Sequence, residues 1–286
     1  MFLIKDHICR AGKDVCEDAI GWGSHYLFAL DGASGLTGAH LMDAGTDAAW
    51  FAGGIRDGLC RALDGGDRRS TAEILHQLTA RLRREYEARA AELGTQVPPD
   101  SPSAGIALFR ELEDGTVEFF GLGDCVGALR TRDGRTLWSC DAALPALDGG
   151  VIARMAQLHR EQGCTVLEAR EQCGDLLLRN RELRNTPGGY WILDPSGDGI
   201  PHARVLRWRR EEVESLSAFS DGFAQLALPF RLYPDWGRLH GRITQVPLQS
   251  LLEELYAAQE ADPDGNRFLR LKFRDDACAL WAQVTP

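Results

Sequence analysis

Strand-like and helix-like runs lie in blocks along this chain rather than in alternation, and that order limits the architecture more than any other feature. Three strand-like runs open it, at 2–9, 19–23 and 25–30, punctuated by glycines and an Asp-Gly. Two helical stretches follow. The first, over 41–63, is rich in alanine but carries Gly53 and Gly54, which leaves its ends open. The second starts at the capping-box pattern Ser70-Thr71-Ala72-Glu73 and continues with Ile74, Leu75, Leu78, Leu82 and Tyr86 at helical spacing; Gly94 suits its stop. Beyond a proline-rich connector at 97–102, strands are predicted over 104–112, 116–122 and 126–130. The segment 145–185 reads as helical and irregular, with Gly163 as a helix stop. Strand signals return at 190–193, 203–208 and 216–220, and a helix over 248–259 precedes a last strand over 277–284. This order predicts an α+β fold of helices packed on antiparallel sheets, since a doubly wound fold needs strands and helices in alternation.

Composition narrows the class of protein. With 286 residues, 44% apolar and 26% charged, the chain can bury a substantial core. No run reaches the roughly 18 apolar residues of a membrane helix. The N-terminus meets Lys5 and Asp6 too early for a secretory segment, so a cytoplasmic protein without membrane attachment is expected. A net charge of −10 with no basic cluster disfavours nucleic acid as a partner. Only three lysines occur, Lys5, Lys13 and Lys272, which makes a lysine inside a motif conspicuous. The eight cysteines form no C-x-x-C pair and read mostly as small buried residues.

Several familiar site patterns fail. There is no G-x-x-x-x-G-K-[ST], H-E-x-x-H or G-x-S-x-G. In Gly121-Leu122-Gly123-Asp124-Cys125-Val126-Gly127 the third glycine falls one place late, and a strand follows where a dinucleotide loop needs a helix. Asp194-Pro195-Ser196-Gly197-Asp198-Gly199 starts like a calcium loop, but its twelfth position is Val205 rather than glutamate, so a polar surface turn is expected.

What remains is a series of acidic residues at strand ends. Strand 25–30 runs into Asp31-Gly32, 216–220 into Asp221-Gly222, and 116–122 into Gly123-Asp124; Glu17-Asp18 and Asp275-Asp276 stand just before strands. One Asp-Gly is an ordinary turn. Five acidic ends that met in space would repel one another without a compensating charge. A pair of divalent cations supplies that charge, and all-oxygen donors favour Mg²⁺ or Mn²⁺ over Zn²⁺ or Cu²⁺.

In this order the motifs resemble those of the metal-dependent protein phosphatase family (PPM, or type-2C), along nearly the whole chain. Glu17-Asp18 matches the first acidic motif and Asp31-Gly32-Ala33-Ser34-Gly35 the Asp-Gly-x-x-Gly motif. Pro102-Ser103-Ala104-Gly105 is similar to the Gly-Ser-Thr-Ala-like strand, and Gly123-Asp124-Cys125 to Gly-Asp-Ser. Ser220-Asp221-Gly222 matches Ser-Asp-Gly, and Asp275-Asp276 the closing Asp-Asn. The resemblance implies a single domain over 1–286: two antiparallel sheets in a sandwich with helices on both faces, and a variable flap at about 145–185. It also implies a phosphoserine/phosphothreonine phosphatase with two, or three, Mg²⁺ or Mn²⁺ ions. Asp18, Asp31, Asp221 and Asp275 would hold two metals together with the Gly32 carbonyl, and a metal-bridging water held by Asp18 and Asp31 would attack phosphorus. Glu17 would act through water, Asp124 would serve a third metal, and Asp276 would stand behind the ligands. Lys13 takes the place of the family's phosphate-binding arginine, trading a bidentate fork for a point charge. Ala33 stands where many eukaryotic members have a histidine, so metal-bound water would protonate the leaving group. Cys125, in place of a serine, is a packing change.

The implied partner is a phosphoprotein, the target of a cognate kinase, which the flap would select. Arg170, Arg179, Arg181 and Arg184 on that flap are read as a solvated face, and His202 as a structural residue. The alternatives are a phosphatase-like module that recognises a phosphoprotein without turnover, and an enzyme for small phosphate esters.

Overall fold

A computed structural model of the chain describes residues 1–285 apart from Thr37 and Ala39. Its strands are β1 (Phe2–Arg10), β2 (Ala19–Trp22), β3 (Tyr26–Ala33), β4 (Ser103–Glu111), β5 (Thr116–Leu122), β6 (Val126–Thr131), β7 (Thr136–Ser139), β8 (Arg204–Arg209), β9 (Val213–Phe219) and β10 (Ala277–Val284). They form two five-stranded sheets, ordered β1-β10-β9-β6-β7 and β2-β3-β4-β5-β8, and the pairings within each are antiparallel.

The alternation of strand side chains explains the layers. In β3, Leu27 and Ala29 face the opposite sheet, where they share a core with its Leu216, Ala218, Cys278 and Leu280 and with Phe109 and Phe119 of their own sheet. The intervening Tyr26, Phe28 and Leu30 face outward, yet they are just as buried, because α1 (Asp47–Asp64) and α2 (Thr71–Glu92) lay Phe51, Ile55, Leu59, Leu75 and Leu82 over them. On the far side, Ala277 and Ala279 of β10 and Phe219 of β9 meet α7 (Trp236–Ile243) and α8 (Leu248–Glu260) through Leu239, Ile243, Leu251 and Leu255. The result is a four-layer α+β sandwich, helices–sheet–sheet–helices, as the order of elements and the motif pattern led us to expect. Strands covered on both faces explain the nearly continuous apolar runs of β3, β4 and β10.

Local signals account for most boundaries. The capping box is formed, with Ser70 Oγ accepting from the Glu73 N–H and the Glu73 carboxylate accepting from the Ser70 N–H. Gly163, at φ 72°, ends α3 (Ala143–Gln162). The first helix starts later than expected, at Asp47 rather than near 41. The Asp47 carboxylate accepts from the N–H groups of Leu41 and Met42 and so ties 41–46 down as a loop. The predicted strand at 190–193 is not one: only Tyr190 and Leu193 make isolated bridges, and the apolar run is packing rather than ladder. The 145–185 segment, expected to be helical and irregular, resolves into α3, α4 (Val166–Ala169) and α5 (Gly174–Glu182) around a small core of Val151, Met155, Leu158, Val166, Ala169 and Cys173.

Candidate metal centre

Register alone brings the acidic strand ends together. Asp31 lies opposite Gly105 in the β3–β4 ladder, Ala19 opposite Leu30, and Ile106 opposite Leu122, which puts Asp18, Asp31 and Asp124 at one edge of their sheet. In the other sheet Phe219 pairs with both Val126 and Ala279, and Arg10 with Ala277, so Asp221 and Asp275 leave at the same end. The Asp221 N–H donates to Asp31 Oδ2 at 3.1 Å across the two sheets.

Close backbone approach holds these segments in place. A Cβ on Gly32 would lie 2.3 Å from the Glu17 carbonyl oxygen, and one on Gly222 would lie 1.8 Å from that of Asp276. Only glycine lets the chain after each aspartate press against the neighbouring acidic pair. The short helix α6 (Asp221–Ala224) then carries the chain away.

The electrostatics follow from the crowding. Burial, followed by the charges of neighbouring carboxylates, pushes the Asp31 and Asp124 carboxyls well above the usual carboxylate range. Asp18 is raised chiefly by burial as well, against a hydrogen bond from Ser220, and Asp221 is raised by burial and by Asp275. Asp18 Oδ2 is buried with no hydrogen-bond partner. An orphaned, buried carboxylate oxygen among other carboxylates fits a hard divalent cation and little else. Among the described residues, however, no three His, Cys, Asp or Glu side chains are arranged to hold an ion as they stand.

Three more residues complete the surroundings. Asp276, expected behind the ligands, has both oxygens engaged: Oδ1 accepts from the Gly12 N–H at 2.7 Å and Oδ2 from the Glu17 N–H at 2.6 Å. Glu17 accepts a short hydrogen bond from Ser34 Oγ. Lys13 is exposed on the rim of a cavity of 1140 Å³ whose floor includes Asp31, Asp124, Asp221 and Asp275.

Two charged neighbours were not singled out in the sequence. Asp148 of α3 reaches the same cavity, where burial and then the Asp221 charge push its carboxyl up to about 6. Lys272 places Nζ 2.8 Å from Asp275 Oδ1. Neither stands at a strand end, the signal that marked the others. Of the four arginines expected on a solvated face, Arg179 is exposed, whereas Arg181 and Arg184 are turned onto the sandwich. Arg181 donates to Ser103 Oγ and the Ser34 carbonyl, and Arg184 to Ser101 and, at 3.3 Å, to Asp194. They bolt the insert to the sandwich, and the 194–199 turn is correspondingly buried at Asp194 rather than a surface feature. His202 lies exposed, its ring stacked on Trp191 with centroids 3.4 Å apart, and does not line the cavity. Cys125 is buried in the inter-sheet core.

No protein-family model matches the chain, and no curated protein matches its sequence. Solved structures do. The serine/threonine phosphatase Stp1 from Staphylococcus aureus is 12% identical over 100% of this chain and 96% of its own, with a TM-score of 0.56. The catalytic domain of the serine/threonine protein phosphatase PstP, in complex with two manganese ions, is 14% identical over 100% of both chains with a TM-score of 0.52. PppA, a regulatory component of the T6SS in Pseudomonas aeruginosa, is 14% identical over 99% of this chain and 98% of its own, with a TM-score of 0.53. The fold of this chain is that of the bacterial metal-dependent serine/threonine phosphatases.

Proposed function

We propose that the chain is a metal-dependent phosphatase acting on phosphoserine and phosphothreonine of a phosphoprotein, the target of a partner kinase. The observation that carries this reading is the meeting of Asp18, Asp31, Asp124, Asp221 and Asp275 at one end of the sandwich, with Asp18 Oδ2 left unpartnered. Asp18, Asp31, Asp221, Asp275 and the Gly32 carbonyl would hold two Mg²⁺ or Mn²⁺ ions, and Asp124 a third. Such ions supply a water acidic enough to act as a nucleophile near neutral pH.

The chain's own residues do the rest. Lys13, exposed at the rim, neutralises the phosphoryl group as it enters the cavity. Asp276 fixes the loop that carries Lys13 and Glu17, through its two backbone hydrogen bonds. Ser34 orients Glu17. The insert from α3 to α5 forms one wall with Leu144, Ile152 and Leu177, a surface suited to selecting the phosphorylated segment. Eight unpaired cysteines agree with a reducing compartment such as the cytoplasm.

The test is hydrolysis of p-nitrophenyl phosphate and of a phosphothreonine peptide by the purified chain with Mn²⁺, with EDTA, and in Asp221→Ala. Turnover should require metal and fall by about a hundredfold or more in the variant. Preference for the peptide would separate a protein phosphatase from an enzyme of small esters. Mn²⁺ binding without turnover would instead favour a recognition module. A folded chain that binds no Mn²⁺ would refute the site.

A further inference from the structure

Lys272 is the basic side chain that enters the carboxylate cluster. Its Nζ lies 2.8 Å from Asp275 Oδ1, and it also feels the charges of Asp221 and Asp31. The position is fixed from both sides. Leu271 packs against the core of the insert. Arg270 is anchored through Nη1 to Asp262 Oδ2 at 2.9 Å and through Nε to the Phe273 carbonyl at 3.2 Å. Past Asp275, Asp276 is clasped by the amides of Gly12 and Glu17. An ammonium held here is set by the fold and is not a stray surface pair.

Its consequence follows from charge. Asp18, Asp31, Asp124 and Asp221 crowd one another in a site where separated like charges cost dearly. A lysine offers one positive charge and three donors, which relieves part of the repulsion. A divalent cation brings twice the charge and needs the same Asp275 oxygens.

We propose that Lys272 is a tethered counter-ion that a divalent cation must displace from Asp275 before the centre can load fully, so that it sets the metal concentration at which the site fills. The inference rests on the metal-centre reading above.

The experiment titrates Mn²⁺ by calorimetry into the full chain stripped with EDTA, and measures thermal unfolding with and without Mn²⁺. It compares wild type, Lys272→Met and Lys272→Arg. In Lys272→Met the Mn²⁺ dissociation constant should fall about tenfold, the effect of removing a half-exposed competing charge. Its melting temperature in EDTA should drop, and the rise on adding Mn²⁺ should exceed that of wild type. Lys272→Arg keeps the charge and should follow wild type. If Lys272→Met folds only with Mn²⁺ present, the inference is supported; if it fails to fold even then, the lysine is merely structural and the inference falls. Equal Mn²⁺ affinity in wild type and Lys272→Met would overturn the inference and leave the metal centre standing. No Mn²⁺ binding by either protein would overturn both.

Discussion

Asp276 stands where the motif pattern has an asparagine, and its geometry says what each replacement should do. Both carboxylate oxygens accept backbone N–H groups from the loop before β2, at 2.7 Å from Gly12 and 2.6 Å from Glu17. A hydrogen bond to a charged group contributes about 1.5–3 kcal/mol, and the lower end applies to a side chain that is only half-buried. Asp276→Asn keeps one acceptor and turns an amide N–H toward the other donor, so it should cost about 1.5 kcal/mol. Asp276→Ala loses both bonds and should cost about 3 kcal/mol. For a chain of this size those losses correspond to roughly 2.5 °C and 5 °C in melting temperature, read by differential scanning calorimetry in EDTA. The loop carries Lys13 and Glu17, so Asp276→Ala should also weaken Mn²⁺ binding more than Asp276→Asn does. A change within about 1 °C for Asp276→Ala would mean that the clasp does not hold the loop. Equal losses in both variants would mean that charge, and not the count of bonds, is what matters.

Two further outcomes are expected. His240 is fully buried between the hydroxyls of Ser215 and Ser217, at 3.0 and 2.7 Å, and burial, aided by Arg130, holds its imidazole down at about 4. A base with a lowered folded value lends stability that is complete above its ordinary value of about 6.5 and is lost as pH falls toward 4, up to about 3 kcal/mol. Urea unfolding at pH 7 and pH 4.5 should therefore show a smaller acid loss in His240→Gln than in wild type; parallel losses would refute the assignment. The Sγ atoms of Cys9 and Cys16 lie 3.6 Å apart, just before Glu17-Asp18. Diamide should oxidise this pair to a disulfide with loss of two hydrogens, itself being reduced to the hydrazine. Peptide mapping that found Cys9 joined to Cys278, its partner in the β1–β10 ladder, would contradict the expected pairing.

What could be read in the sequence, and what could not, divides by the range of the interaction. The strands of the sandwich and the acidic ends were legible because a strand buried on both faces is an unbroken apolar run, and the residue that ends it stands out. Short elements with mixed composition were not: β7 spans four residues and α7 eight, with polar positions scattered through both. The run at 190–193 looked like a strand because periodicity cannot tell a packed segment from a paired one. Within the site, the residue types at 18, 31, 124, 221 and 275 were visible, but the partners of Asp276 lie more than 250 positions away, and no spacing rule links them. Lys272 drew notice only as one of three lysines; its approach to Asp275 depends on how the 262–274 segment packs. Arg181 and Arg184 misled for the opposite reason, since a helical charge pattern does not reveal that carbonyls on another element wait for it.

The small core of the insert has a mechanical meaning. Val166 N–H donates to Asn266 Oδ1 at 3.1 Å, the Leu167 N–H to the Asp264 carbonyl at 3.3 Å, and Leu271 packs against that same core. The helices that wall the cavity and the segment that leads to Asp275 therefore share a foundation that is separate from the sandwich. A graft that replaced 143–182 with another sequence would leave both sheets untouched. It would still have to rebuild the footing under 264–271, or the carboxylate beyond it would shift. Diversity in what the wall grips thus comes tied to adjustment of the charge cluster, and the two would be expected to change together.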